Sequence, residues 1–384
     1  MGVYSEYLDR PLSFPQLLDE RKIQLKRISE FRGRDILVYA SDLTNSKASI
    51  SIDYSDLLPI KDQLANLQGK SLDLILETPG GSGEVAEDIV KLLRHKYDEI
   101  AVIIPGWCKS AGTLISMAAD EILMDHSSSV GPIDAQLFWQ GKIFSADALI
   151  EGMKKIKEEV EGTGRLNKAY VPILQGISPG ELQSAQNALN FAKELVTQWL
   201  AKFKFRNWNT HRSTGKPVTE EERTKRAKEI ADELCKHGHW LTHGRSIKME
   251  DLEAMRLQIT DYSENEKLAD AIQRYHTLLQ MTFSTGIYKV FETPTSQIYR
   301  ALQQIQQGPL PLKNNDVAMV EITCKKCGKK TRVQANLEKA FPLQEGCVAF
   351  PADNKLYCQQ CHEAIDLNEI RRQIEQQTKK KVIA

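Results

Sequence analysis

Two junctions between a buried strand and a helix constrain this chain more than any other feature of its sequence. An apolar run over residues 72–77 ends in Thr78-Pro79-Gly80-Gly81 and leads into a helical segment at 83–94. A second apolar run, at 100–104, is followed by Lys109-Ser110-Ala111-Gly112 and another helical segment. Strands that alternate with helices predict a parallel α/β sheet, in which sites lie at the carboxyl ends of strands. We therefore expect the two junctions to face one cleft.

The two junctions offer the groups that acyl transfer requires. Attack on a carbonyl places negative charge on its oxygen, and backbone N–H groups beside an activated serine stabilise that charge. Each junction also has a structural interpretation. Gly80-Gly81 is compatible with a turn that needs positive φ, and Ser110 is compatible with a helix cap. The occurrence of both junctions in one chain favours the catalytic interpretation.

The same blocks resemble the Clp-protease/crotonase fold and, more narrowly, the serine dehydrogenase proteinase family, soluble relatives of signal peptide peptidase A. The resemblance covers roughly residues 15–290 and is carried by Thr78–Gly83, Lys109–Thr113, Ser129–Asp134 and Leu241–Ile247. It implies a parallel sheet with flanking helices and Ser110 as the nucleophile. It also implies that Gly81 and Ala111 supply oxyanion-hole N–H groups and that Gly80 shapes the turn.

The sequence does not select the general base, and a lysine is one candidate. Clp proteases place a histidine in the block that here is Val130–Gln136, which contains none. Signal peptide peptidases use a lysine instead, and Lys142 lies in the corresponding neighbourhood. Lys154, Lys155 and Lys157 are further candidates on a charged helix face. A lysine base must be desolvated to lower its pKa.

His243 is the other candidate for the base. The segment Leu241–Ile259 resembles the part of Clp proteases where the third catalytic residue enters the cleft. His243 could also serve a structural role in its glycine-containing turn, or form a metal site with His237 and His239. Asp134 is expected to be structural.

A second pattern predicts a metal-binding module. Five of the seven cysteines lie in one C-terminal stretch, and four of them form two C-x-x-C motifs: Cys324 and Cys327, then Cys358 and Cys361. Paired motifs of this kind are typical of a zinc ribbon with a closed, structural site. Cys347 and His362 are alternative ligands, and redox-active thiols are an alternative use of the motifs.

These patterns predict three regions: a Clp/crotonase-like peptidase domain at 1–304, a linker at 305–317 and a zinc-ribbon module with a basic helical tail at 318–384. Lys plus Arg and Asp plus Glu each total 51 residues, so net charge provides no support for nucleic acid or a membrane surface as a partner. The N-terminal residues lack the apolar core of a signal peptide, and no apolar run approaches the ~18 residues of a membrane span. We expect a cytoplasmic protein.

The sequence thus favours a serine endopeptidase that cleaves peptides or proteins without ATP. A homo-oligomer is expected from the resemblance, and the zinc ribbon is expected to recruit a partner or substrate protein. Two alternatives stay open. One is an acyl-CoA enzyme, because crotonases also use two backbone N–H groups as an oxyanion hole. The other is a non-catalytic scaffold that lacks a base.

Overall fold

Two units make up the chain in the computed structural model, Met1–Gln303 and Gln304–Ala384. The structure describes residues 2–10, 12–139, 141–211, 214–302, 316–344 and 346–383. Most of the linker predicted at 305–317 lies outside these ranges, so the three-region division stays a prediction.

A seven-stranded sheet and several short strands form the centre of the first unit. The strands of this unit are β1 (Asp35–Ser41), β2 (Ser71–Glu77), β3 (Glu99–Ile103), β4 (Trp107–Cys108), β5 (Glu121–Met124), β6 (Ser129–Val130), β7 (Gln136–Trp139), β8 (Lys142–Ser145), β9 (Thr260–Asp261), β10 (Ile287–Glu292) and β11 (Gln297–Ala301). The order of the strands in the seven-stranded sheet is β11-β10-β1-β2-β3-β5-β9. The neighbouring strands β1, β2, β3, β5 and β9 pair in parallel, as the alternation of strands and helices predicts.

Helices cover both faces of this sheet. They are α1 (Val3–Asp9), α2 (Phe14–Arg32), α3 (Leu57–Ala65), α4 (Gly83–Lys96), α5 (Ala111–Met117), α6 (Ala146–Thr163), α7 (Val171–Gln175), α8 (Pro179–Trp199), α9 (Glu220–Cys235), α10 (His237–Trp240), α11 (Met249–Ala254) and α12 (Glu266–Phe283). Alternate residues of β1 enter different cores: Leu37 and Tyr39 belong to the core that includes residues of α3, α4 and α9, whereas Val38 belongs to the core that includes residues of α2 and α12. Burial on both faces explains why the strand sequences are continuously apolar. Within the described ranges, no helix combines the length and apolar character needed to cross a membrane.

One edge of the sheet differs from the simple parallel prediction. Strand β10 pairs antiparallel with β1, and β11 pairs antiparallel with β10. Charged residues interrupt the apolar pattern of β10, so its sequence does not predict a buried strand. Lys289 is fully buried 2.8 Å from Asp56, and Glu292 is fully buried 3.1 Å from Arg21. A buried charge is tolerated only when it is paired, and such pairs cannot be read from local periodicity.

The second unit is a small β-rich module. Its elements are β12 (Val317–Thr323), β13 (Lys330–Leu337), β14 (Cys347–Ala349), β15 (Lys355–Tyr357), β16 (Ala364–Asp366), α13 (Asn368–Thr378) and β17 (Val382–Ile383). Strands β12 and β13 form an antiparallel pair, and β15 and β16 form another.

Candidate functional site

Four backbone segments pair side by side and bring the distant sequence blocks together. Thr78 bridges Cys108, Cys108 pairs with Val130, and Val130 bridges Ile247. The Thr78 N–H donates to Trp107 at 2.9 Å, and the Lys109 N–H donates to Thr78 at 2.9 Å. This row joins both strand-to-helix junctions to the 129–134 and 241–247 blocks.

The glycine junction contacts the serine junction directly. Gly80 has φ of +99°, a conformation that favours glycine. A Cβ added to Gly80 would lie 2.6 Å from the Cβ of Ser110 and 2.8 Å from the Lys109 carbonyl oxygen. These distances are too short for a side chain. Because Gly80 has no side chain, its backbone can lie directly against Ser110, and the two junctions meet there.

Ser110 occupies a strained turn immediately before α5. Its φ is +49° and its ψ is −114°, which a non-glycine residue adopts rarely and which is found most often at functional sites. Ser110 is half-buried, and its hydroxyl makes no hydrogen bond with the residues that the structure describes. The serines at the starts of α4 and α8 behave differently: Ser82 and Ser178 each accept a hydrogen bond from a backbone N–H of their helix. The cap interpretation of Ser110 is therefore not supported by the geometry.

Two backbone N–H groups are available beside Ser110. Ile52 pairs with the glycine turn by donating to the Gly80 carbonyl at 2.7 Å and accepting from the Ser82 N–H at 3.0 Å. In such a bridge the N–H of the intervening residue, Gly81, points to the opposite side. The Ala111 N–H starts α5 and has no intrahelical partner. Neither N–H has a hydrogen bond in the described part of the chain, so both can donate to a ligand oxygen.

A buried carboxylate and a histidine lie at the ends of the other two segments. Asp134 is 0% exposed at its side chain and lies 2.7 Å from His243 Nδ1. His237 Nδ1 lies 2.9 Å from the other Asp134 oxygen, and the Gln136 amide donates at 3.0 Å. The Nδ1 position of His243 is thereby fixed, and its side chain remains 28% exposed. Such a pair can orient an imidazole for proton transfer.

The protonation state of Asp134 suits that role. Burial by itself would raise the pKa of Asp134. Hydrogen bonds from His243 and Ser145 outweigh burial, and the pKa of Asp134 lies below its usual value. Asp134 is therefore ionised at neutral pH and can stabilise a positive charge on the imidazole.

The sequence does not predict the Asp134–His243 pair, because the expectation for Asp134 is a structural role. The resemblance carries a signal for it, since Clp proteases place a histidine in the block that here contains Asp134 and a third catalytic residue in the segment that here contains His243. His239, in contrast, pairs with Glu233 at 2.6 Å, and the three histidines do not form a metal cluster among the described residues.

Lys142 lies in a different environment. It begins β8, in the hairpin formed with β7, and its side chain is exposed. The hairpin gives Lys142 no burial of the kind that a lysine base needs. Of Lys142 and His243, His243 is the one whose side chain is paired with a buried carboxylate in the described structure.

Four cysteines of the second unit form a cluster that could bind a metal ion. The Sγ atoms of Cys324, Cys327, Cys358 and Cys361 lie within 4.8 Å of one another. Cys324 is 3.5 Å from Cys361, and Cys327 is 3.5 Å from Cys358. Tetrahedral zinc with Zn–S bonds of ~2.3 Å requires sulfur–sulfur separations of about 3.8 Å, so the four sulfurs fit such an ion.

The two C-x-x-C turns are built alike. Gly328 donates its N–H to the Cys324 carbonyl at 2.9 Å, and His362 donates to the Cys358 carbonyl at 2.9 Å. The residue after each second cysteine has positive φ, +71° at Gly328 and +56° at His362. Hydrogen bonds from the Cys361 and Gln360 N–H groups lower the pKa of Cys358 to about 6, which favours the thiolate that a metal binds.

Comparison with known proteins connects the first unit to a protease family. The family model of ClpP-like SDH-type serine proteinases matches residues 50–164, which include both junctions and Asp134. Two uncharacterized proteins of Methanocaldococcus jannaschii are similar over short segments. MJ0137 is 47% identical over 68 residues, which is 18% of this chain and 24% of that protein. MJ1495 is 44% identical over 66 residues, 17% of this chain and 23% of that protein. The chain thus matches about a quarter of the length of these relatives.

Solved structures show more distant likenesses. A membrane-bound stomatin-specific protease is 20% identical, with 37% of this chain and 80% of that chain covered and a TM-score of 0.22. A probable enoyl-CoA hydratase/isomerase from Mycobacterium abscessus is 12% identical, with 62% and 73% covered and a TM-score of 0.26. At this level of likeness, neither structure identifies a substrate or a reaction for this chain.

Proposed function

We propose that the chain, whose residues 50–164 match the model of ClpP-like SDH-type serine proteinases, is a serine endopeptidase that cleaves peptides or proteins without ATP. The contact of Gly80 with Ser110 is the observation that carries this proposal. In this contact the Ser110 hydroxyl, which does not cap α5, lies beside the glycine turn. The N–H of Gly81, the next residue of that turn, has no hydrogen bond among the described residues.

The residues divide the reaction as follows. His243 Nε2 accepts the Ser110 proton while Asp134 holds Nδ1–H and stabilises the resulting imidazolium. The Ser110 oxygen forms a bond to the substrate carbonyl carbon, and the carbonyl oxygen receives hydrogen bonds from the Gly81 and Ala111 N–H groups. His243 then donates the proton to the departing amine, which leaves an acyl-enzyme. Water, deprotonated by His243, then attacks the acyl carbon, the bond from that carbon to the Ser110 oxygen breaks, and His243 returns the proton to Ser110 as the acid leaves. Ser110 and His243 are not hydrogen-bonded in the described structure, and such bonds often tighten only when substrate binds.

We extend the proposal to the second unit and to assembly. The cysteine cluster would hold a structural zinc ion, since four thiolates close a tetrahedral site. The zinc ribbon would recruit a protein substrate or partner. Assembly into a homo-oligomer is proposed from the resemblance, and a cytoplasmic location from the use of the cysteines as metal ligands rather than in disulfides.

Cleavage of fluorescently labelled casein by the purified protein, in buffer without nucleotide, tests the proposed activity. We expect cleavage that a fluorophosphonate blocks. Hydration of an enoyl-CoA thioester, measured in parallel, tests the acyl-CoA alternative. That alternative would replace the proposal if the thioester were converted and casein left intact. Absence of both activities would favour the scaffold.

Gly81→Val is expected to lower turnover by roughly 10²–10³-fold, the scale for loss of one oxyanion-hole donor. Gly81 has φ of +149°, and an added Cβ would overlap the backbone of Ile52. The turn must shift, and the Gly81 N–H shifts with it. Gly164→Val is the matched control, because Gly164 also has positive φ, +67°, but has nothing within 4 Å of an added Cβ. Normal turnover by a folded Gly81→Val variant would place the oxyanion hole elsewhere.

His243→Ala is expected to lower turnover by roughly 10²–10⁴-fold, the usual contribution of a general base. The control is His239→Ala, since His239 lies in the same short stretch but pairs with Glu233. Initial rates of casein cleavage, with melting temperatures to check the fold, compare the two variants. Equal rates for both would remove His243 from the mechanism.

A further inference from the structure

Lys109, the residue immediately before the proposed nucleophile, connects three segments of the site. Its Nζ lies near four oxygens, namely Ser129 Oγ at 3.0 Å, the Val130 carbonyl at 3.0 Å, Ser246 Oγ at 3.0 Å and the Arg245 carbonyl at 3.4 Å. Two of these are carbonyls, which only accept hydrogen bonds, so the arrangement suits an ammonium group with three donors. The described residues provide no carboxylate partner for Lys109, and the lysine is not explained by an ion pair.

Gly131, on the neighbouring segment, leaves a defined space for the Lys109 side chain. A Cβ added to Gly131 would lie 3.0 Å from Lys109 Cδ. Gly131 thus leaves room for the aliphatic stem to cross β6 and reach Ser246. The stem is half-buried, and the amine ends between β6 and the segment that carries His243.

We propose that Lys109 is a positioning residue whose ammonium fastens the His243 segment to the Ser110 junction. Its contacts at Arg245 and Ser246 lie two and three residues beyond His243, while Lys109 is covalently next to Ser110. The distance between base and nucleophile then depends on this side chain as well as on the backbone pairing of Val130 with Cys108 and Ile247. The inference rests on the proposed function of Ser110 and His243 and deepens it, because nothing in the resemblance assigns Lys109 a role.

The protonation state distinguishes this role from direct proton transfer. Burial lowers the pKa of Lys109 to about 8, and the charge of Lys248 acts in the same direction. The titratable neighbour on its own strand is Cys108, whose pKa burial raises to about 12, so Cys108 is neutral in this range. Strand β6 and the 245–246 segment face the amine with hydroxyls and carbonyls. A positioning ammonium is lost as pH rises through about 8, whereas a lysine base becomes active over the same range.

The test measures the rate at which a fluorophosphonate labels Ser110 between about pH 6 and 10. In the unaltered protein we expect the rate to fall above about pH 8. Lys109→Arg keeps the charge and should retain labelling, with the fall moved to higher pH. Lys109→Met should lower the rate at pH 7 roughly 10–100-fold, the scale for a small misplacement of reacting groups, and should have no fall near pH 8.

Lys248→Met is the matched control. Lys248 Nζ also joins two of these segments, by donating to the Ser127 and Ser128 carbonyls at 2.7 and 3.0 Å, but it does not touch the Ser110 junction. The rate of Ser110 labelling in Lys248→Met at pH 7 should be unchanged.

Three results would overturn the inference. Equal losses of labelling rate in Lys109→Met and Lys248→Met would show that Lys109 has only a structural role. A rate that rises through pH 8 and vanishes in Lys109→Arg would make Lys109 the base. Full activity in Lys109→Met would also overturn the inference while leaving the proposed function in place.

Failure of the proposed function has a different signature. The unaltered protein would then show no labelling of Ser110 at any pH, and the inference about Lys109 would fail with it. If Lys109→Met does not fold, the alkaline fall in the unaltered protein and its displacement in Lys109→Arg still decide the question.

Discussion

Ser110→Ala is expected to abolish casein cleavage and to leave the fold intact. Removal of a serine-protease nucleophile costs on the order of 10⁶-fold in turnover. The fold should tolerate the change because the Ser110 hydroxyl has no hydrogen bond in the described structure and does not cap α5. Alanine also keeps the Cβ that the turn already accommodates at φ of +49°.

Ser178→Ala is the informative comparison for this variant. Ser178 caps α8 by accepting from the Glu181 N–H, so its loss should cost about 1 kcal/mol of stability and no activity. Ser110→Ala should therefore lose cleavage and keep its melting temperature, whereas Ser178→Ala should keep cleavage and melt at a lower temperature. Casein cleavage that survives in Ser110→Ala would refute the nucleophile assignment.

Loss of the metal is expected to unfold the second unit while the first unit keeps its site. The buried core of the second unit is small and includes Val333, Leu337 and Phe350. In a unit of this size, metal binding supplies folding free energy on the order of 10 kcal/mol or more. Cys358→Ser, or chelation, should make residues 316–383 sensitive to protease. Ser110 should still react with a small fluorophosphonate.

The control for the metal prediction is Cys347→Ser. Cys347 is a free, half-buried cysteine of β14 that does not belong to the cluster. This variant should keep its metal and its protease resistance. Native mass spectrometry should find one zinc per chain in the unaltered protein and in this control. A folded second unit without metal, with all four cluster thiols freely alkylated, would disprove the zinc assignment.

Local chemistry made the junctions predictable from the sequence. Gly80 and Gly81 have the positive φ that glycine permits, and the small residues after Ser110 allow α5 to approach the glycine turn. The paired C-x-x-C motifs likewise predict the cysteine cluster, because each motif is a local turn that presents two thiolates.

Contacts between distant residues could not be predicted in the same way. Asp134 and His243 are 109 positions apart, and their meeting depends on the pairing of Val130 with Ile247. The contacts of Lys109 could not be predicted for the same reason, since its partners come from two other segments. Strand β10, which lies between β1 and β11, could not be predicted because a buried lysine and glutamate, each neutralised by a distant partner, interrupt its apolar pattern.

The identity of the nucleophile is tested most directly by peptide mapping of the protein after reaction with a fluorophosphonate. We predict a single adduct on the peptide that contains Ser110, with casein cleavage lost in proportion to the labelled fraction. An adduct on a different serine that accounts for the lost activity, or full cleavage of casein by protein labelled at Ser110, would contradict the assignment.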